Sequence, residues 1–140
     1  MKFNVDGSSK GKPGPAGIGG VLRDSLAVVK IVFSKTIGVA DSNVAELLAV
    51  REAMCIFVSL KWIHSHRMII ESDSSNVVRR ILNPNSMPWK LKIFMSHIKA
   101  LKLQLGSWQK VQIPRECNDV ADALAKSDVF HRNILMVKYD

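Results

Sequence analysis

Apolar and polar positions alternate from the first residues of the chain. Phe3 and Val5 alternate with Lys2 and Asn4, which predicts a strand ending at Asp6. Gly7-Ser8-Ser9-Lys10-Gly11-Lys12-Pro13-Gly14-Pro15 reads as a loop by composition. Ile18–Leu22 predicts a second strand, Asp24-Ser25 a turn, and the β-branched run Val28–Ile37 a third strand. Strands joined by links this short predict an antiparallel meander.

The period then lengthens. Leu47, Val50, Met54, Phe57 and Val58 fall at helical spacing and form one stripe of a helix running to about Leu60. Asp41, Ser42 or Asn43 can cap its start. Met68-Ile69-Ile70 predicts a short buried strand ending near Asp73. Ser74 or Ser75 opens a short helix that stops by Asn83-Pro84. From Trp89 a further amphipathic helix carries Leu91, Phe94, Ile98, Leu101 and Leu105 on one side. Trp108–Ile113 is the last predicted strand, and Asn118 or Asp119 opens a final helix through Lys126. A strand returned by a helix pairs in parallel through a right-handed crossover. The order therefore predicts an α/β domain over residues 1–140. Its five-stranded mixed sheet is antiparallel in the first three strands and parallel in the rest, with helices on both faces.

Composition narrows the classes. The 140 residues are 47% hydrophobic and 23% charged, an ordinary globular balance. No apolar run approaches the roughly 20 residues that span a bilayer, and no secretory leader pattern opens the sequence. These readings predict an intracellular protein, nuclear or cytoplasmic, with no membrane partner. Two cysteines, Cys55 and Cys117, are too few for a disulfide framework or a cysteine-built zinc site. The net charge of +8 is concentrated: residues 61–115 hold ten Lys/Arg and only Glu71 and Asp73 as acids. Such an excess favours an anionic partner, although a solvated surface gives the same pattern.

Four acids fall where an α/β sheet builds sites. Asp6 and Asp73 end the first and fourth strands, and sites form beyond the carboxyl ends of parallel strands. Glu46 lies near the start of the long helix and Asp122 early in the last one. If the two strands are neighbours, the four carboxylates converge. Like charges this close raise one another's pKa or draw in a cation. Hard oxygen ligands suit Mg²⁺ or Mn²⁺, and a pair of such ions can clamp both oxygens of a phosphodiester displacement. Taken singly, each acid is more often a cap or a surface residue.

The residues around these acids form four segments in order. They are Asp6-Gly7-Ser8-Ser9-Lys10-Gly11 with Pro13-Gly14-Pro15-Ala16-Gly17, Ala45-Glu46-Leu47-Leu48-Ala49, Glu71-Ser72-Asp73-Ser74, and Arg115-Glu116-Cys117-Asn118-Asp119-Val120-Ala121-Asp122-Ala123-Leu124-Ala125-Lys126. Over nearly its whole length the chain resembles the ribonuclease H domain, in the form found in plants and in retrotransposon reverse transcriptases. The resemblance implies metal-dependent hydrolysis of the RNA strand of an RNA/DNA hybrid, leaving 5′-phosphate and 3′-hydroxyl ends. By the same resemblance, Asp6 bridges two Mg²⁺ or Mn²⁺ ions. Asp122 holds the ion that activates water, and Glu46 and Asp73 hold the ion at the leaving oxygen.

Two departures from the family pattern stand out. No histidine lies between His97 and His131, and Arg115 occupies the stretch where many members place a flexible histidine. Arg115 reads either as a surface strand-end residue or as a cation beside the scissile phosphate. The link from Leu82 to Trp89 is too short for the basic helical handle of the bacterial enzyme.

The implied nucleic-acid contacts fall on Gly7, Ser8, Asn43, Ser74, Ser75 and Asn118. Asn43 matches an asparagine that reads the minor groove, where the 2′-hydroxyl marks RNA. Lys92, Lys99 and Lys102 lie off the apolar stripe of their helix, as a phosphate-tracking ridge or as a solvated face. His64 and His66 read as loop residues. The expected protein is a monomer acting on hybrid, alone or within a larger polyprotein. The competing reading is a binding module of the same fold, derived from a retroelement, with weak turnover or none.

Overall fold

The computed structural model describes residues 1–11, 14–59, 67–73, 91–105, 108–131 and 135–138. Six strands form one sheet: β1 (Lys2–Ser9), β2 (Gly14–Arg23), β3 (Val29–Ala40), β4 (Met68–Ser72), β5 (Trp108–Gln112) and β6 (Leu135–Lys138). Their spatial order is β5-β4-β1-β2-β3-β6. β1, β2 and β3 pair antiparallel in sequence, while β1 with β4 and β4 with β5 pair in parallel. The mixed sheet expected from the chain pattern is present, and β6 extends it by one antiparallel strand beside β3. Four residues long, β6 is too short for a periodic signal.

Among the described residues, three helices cover the two faces: α1 (Ser42–Val58), α2 (Lys92–Leu105) and α3 (Asp119–His131), with a 3-10 turn at Arg115–Asn118 leading into α3. The short helix expected after Ser74 or Ser75 lies outside the described residues, as do Trp89, His64 and His66. The cap of α1 is Asp41, whose Oδ1 accepts a hydrogen bond from the Val44 amide at 2.9 Å. The apolar stripe of α1 is wider than its spacing indicates. Ala45, Leu48, Ala49, Ala53 and Ile56 are buried along with Leu47, Val50, Met54 and Phe57. The reason is that α1 packs on the sheet with one side and on α2 with another. The face of α2 toward α1 holds Met95, Ile98, Leu101 and Leu105, and the Arg51 guanidinium covers the Phe94 ring at 5.4 Å.

The strand pattern assigns each helix to a face. Phe3 and Val5 point toward α1, and Phe3 meets Phe33 edge-on with ring centroids 5.7 Å apart. Asn4 and Asp6 point to the opposite face, under α3. Gly19 is the cross-strand partner of Asp6 and lies on that face too. A methyl group on Gly19 would come within 2.6 Å of the Ala125 nitrogen and the Leu124 Cβ. On the α1 side, a methyl group on Gly7 would coincide with the Ala45 and Glu46 backbone. Ala121 and Ala125 of α3 are fully buried, and Ser34 Oγ donates to the Leu124 carbonyl at 2.6 Å. Small residues thus set both helices close to the centre of the sheet.

These contacts predict the cost of one methyl group. Overpacking against backbone that cannot move away costs about 3 kcal/mol, at the upper end of the usual range. Gly7→Ala and Gly19→Ala should each lower the melting temperature by about 10 °C. Thermal unfolding followed by circular dichroism checks this, and unchanged midpoints would mean that the helices sit farther from the sheet.

Candidate active site

β1 runs past the point where its parallel partner stops. The last β1–β4 pair is Asn4 with Glu71, whereas β1 stays paired with β2 as far as Ser9 with Ala16. The strand therefore does not end at Asp6, because the Gly7-Ser8-Ser9 segment continues the hairpin ladder. Asp6 lies two residues beyond the last parallel pair, and Asp73 directly follows β4. Both carboxylates emerge at the same end of two adjacent parallel strands, as their position in the sequence predicts.

Helix α1 brings the third acid. Glu46 is in the second turn, and its amide nitrogen belongs to the backbone that presses on Gly7. Since Gly7 directly follows Asp6, this close approach sets Glu46 beside Asp6. One carboxylate oxygen from each of Asp6, Glu46 and Asp73 lies within 4.8 Å of the others. Among the described residues no other group of His, Cys, Asp and Glu side chains gathers this way.

Helix α3 brings the fourth. Asp122 shares a hydrogen bond with Asp6, so one of the two carboxyls carries the proton between them. Asp122 Oδ2 also receives the Lys126 ammonium at 2.8 Å, one helical turn on. Asp6 is 5% exposed. Burial pushes its carboxyl up to about 8, and the bond to Asp122 and the charges of Asp73, Asp122 and Glu46 push the same way. A group in this state either keeps a proton near neutrality or is relieved by a cation. All four donors are carboxylates, the hard oxygen set that divalent Mg²⁺-type ions take. The residues fit such an ion in charge, donor type and proximity.

The other expected residues fall in different settings. Asn43 sits half-buried in the first turn of α1, and capping belongs to Asp41 instead. Ser8 is half-buried on β1. Gly7 is buried beneath α1, so packing accounts for its missing side chain without any ligand. Asn118 does not face outward as a duplex contact must: it is 1% exposed, and its Nδ2 donates to the Val5 carbonyl at 2.8 Å. Asn4, which the sequence places in a strand without marking it, is hydrogen-bonded to three side chains on the same face as Asp6. Arg115 opens the 3-10 turn, with its side chain outside the described set, and Ser74 and Ser75 lie outside the described residues. Lys92 and Lys99 are exposed on α2, whereas Lys102 is half-buried, with burial and then Lys99 lowering its pKa. Cys117 is exposed, and burial followed by the charge of Glu52 pushes the Cys55 thiol up.

The raised Asp6 carboxyl has a consequence for stability. Its folded value lies above the ordinary 3.8, so the folded state holds the proton more tightly. The associated stabilisation is present below about pH 4 and is lost as pH rises through about 8. In chelator, Asp6→Asn should therefore melt increasingly above the wild type as pH goes from about 5 to about 8. Added Mg²⁺ should close part of that gap at the higher pH by binding the folded wild type. A pH-independent gap in paired melting curves would remove the charge conflict from the account.

The profile of the reverse transcriptase-like family matches residues 4–128. A protein of Arabidopsis thaliana named as a ribonuclease H protein is 34% identical over 133 residues, covering 89% of this chain and 20% of its own length. Ribonuclease HI of Halobacterium salinarum is 31% identical over 128 residues, covering 86% of this chain and 59% of its own. The chain thus spans 20% and 59% of these two relatives. The crystal structure of a ribonuclease H1 isolated from compost, in complex with RNA/DNA hybrid, is similar with a TM-score of 0.81 at 28% identity, over 90% of this chain and 94% of that one. A family match that takes in all four acids, on a fold shared with ribonuclease H1, establishes that the chain belongs to the reverse transcriptase-like family of ribonuclease H-fold domains.

Proposed function

We propose that the chain is a metal-dependent endonuclease that hydrolyses the RNA strand of RNA/DNA hybrids and leaves 5′-phosphate and 3′-hydroxyl ends. The observation that carries this reading is the gathering of Asp6, Glu46 and Asp73 within 4.8 Å, with Asp122 bonded to Asp6. The compost ribonuclease H1, which shares the fold, is a hybrid-bound enzyme and supports the substrate class. Asp6, Glu46, Asp73 and Asp122 would hold two Mg²⁺ or Mn²⁺ ions. Bound there, these ions supply Lewis acidity toward the phosphodiester and lower the pKa of the attacking water.

The rest is the work of the chain itself. Burial strips water from Asp6 and strengthens every electrostatic interaction around it. The basic excess of residues 61–115 draws the phosphate backbone toward the acidic notch. Asn43, in the turn of α1 before Glu46, would meet the 2′-hydroxyl groups of the minor groove. Ser8, Ser74 and Ser75 flank Asp6 and Asp73 in sequence and extend the same contact, while Arg115 supplies a cation to the phosphate. All four acids come from one chain, which suits a monomer. The family name and the 20% share of the Arabidopsis relative suit a domain of a larger polyprotein of retroelement type, acting in the nucleus or cytoplasm. No helix among the described residues is long and apolar enough to cross a membrane.

Labelled RNA/DNA hybrid, RNA duplex and DNA duplex, incubated with and without Mg²⁺, test this reading. Cleavage confined to the RNA strand of the hybrid and abolished by chelator is the expected result. Asp73→Asn should lower that cleavage by at least about a hundredfold while leaving hybrid affinity the same or tighter. Wild-type protein that binds hybrid and never cuts it would make the chain a binding module. The α2 lysines carry a separate expectation. If they track phosphates, Lys92→Ala with Lys99→Ala should reduce the slope of log affinity against log salt by about two, with kcat little changed. An unchanged slope would assign them to solubility.

A further inference from the structure

Behind the acids, on the sheet face under α3, lies a chain of buried amides that the proposed chemistry does not use. Asn4 is 7% exposed and sits between two charged neighbours. Its Nδ2 donates to Glu71 Oε1 at 3.1 Å and to Asn118 Oδ1 at 3.4 Å, and its Oδ1 accepts from Arg23 Nη1 at 3.1 Å. Asn118 then donates from its own Nδ2 to the Val5 carbonyl at 2.8 Å.

The charges give this relay one direction. A carboxylate can only accept and a guanidinium can only donate. Glu71 and Arg23 therefore fix which end of the Asn4 amide faces which strand. An Asn4 amide so fixed presents its nitrogen to Asn118, which turns the Asn118 oxygen toward it and leaves the Asn118 nitrogen for Val5. Val5 is the residue before Asp6. Asn118 ends the 3-10 turn that leads directly into α3, four positions ahead of Asp122. The relay therefore ties the backbone beside one acid to the helix end that carries another.

That tie opposes a specific force. Asp6 and Asp122 repel whenever both are ionised, and the relay holds the start of α3 to β1 against that repulsion. We propose that Asn4 and Asn118, oriented by Glu71 and Arg23, are positioning residues that hold Asp122 against Asp6 for divalent-ion binding. This rests on the reading of the four acids as an ion site.

Calorimetric titration with Mn²⁺ alone, without nucleic acid, tests it. Asn118→Ala should weaken Mn²⁺ binding about 10-fold to 100-fold, the usual effect of losing a residue that orients metal ligands. In an Asp122→Asn background the same substitution should change Mn²⁺ affinity less than about twofold, because the tie acts through Asp122. On hybrid, Asn118→Ala should lower kcat by a comparable factor with KM unchanged. Where Asn118→Ala does not fold, Asn4→Val carries the same comparison. Equal Mn²⁺ affinity in the wild type and the folded variant overturns the inference alone. An equal loss in both backgrounds also overturns it, since the amides would then serve the fold in general. A wild type that takes no Mn²⁺ overturns the ion-site reading and this inference with it.

Discussion

Two helices lie closer to the central sheet than a single methyl group allows, and the site depends on that. At Gly7 the backbone of α1 occupies the volume of an absent side chain, and at Gly19 α3 does the same on the other face. Gly7 follows Asp6 in β1, and Gly19 is paired with Asp6 across the hairpin. The two closest approaches therefore flank one residue. They deliver Glu46 from one face and Asp122 from the other, while the parallel strand β4 delivers Asp73 from the side. A buried acid surrounded by three more is the outcome of this packing.

The chain carries the resulting charge conflict with what it has. A proton shared between Asp6 and Asp122 removes one charge, and the Lys126 ammonium at 2.8 Å offsets another. The lysine pair is an exposed i,i+4 contact, worth only about 0.3–0.5 kcal/mol, so it yields easily to a stronger cation. Lower on the same face, the Asn4–Asn118 amides hold the start of α3 to β1 by directed hydrogen bonds. Buried polar groups this close to apolar packing are kept only when satisfied, and here each end of Asn4 is matched by a charge of the right kind. The acids and the amides are thus two layers of one arrangement, the outer one frustrated and the inner one satisfied.

Much of this was legible in the chain. β-branched runs marked the strands, and the change of period at Asp41 marked α1. The position of Asp6 and Asp73 at the ends of strands separated by a helix predicted that they would meet. Other features were hidden for physical reasons. The Gly7-Ser8-Ser9 stretch has loop composition, yet ladder pairing with β2 extends the strand through it. The stripe of α1 looked narrow because alanines, weak signals of hydrophobicity, fill its second buried side. Asn4 stood only as a polar position in an alternating strand, because alternation does not show which side chains meet it beneath α3. Asn118 stood inside a motif associated with substrate, and only the fold reveals that its amide turns inward. β6 is four residues long and has no pattern that differs from a loop.

Packing buries Asp6 among three other carboxylates, a state that the proposed divalent ion would relieve. Its carboxyl carbon reports this directly by NMR, as a chemical shift followed against pH in protein labelled at aspartate. Without metal the resonance should titrate near 8, far above the ordinary 3.8. With saturating Mg²⁺ the resonance should show the ionised form throughout the neutral range. An Asp6 carboxyl that titrates near 4 in both conditions would contradict the account.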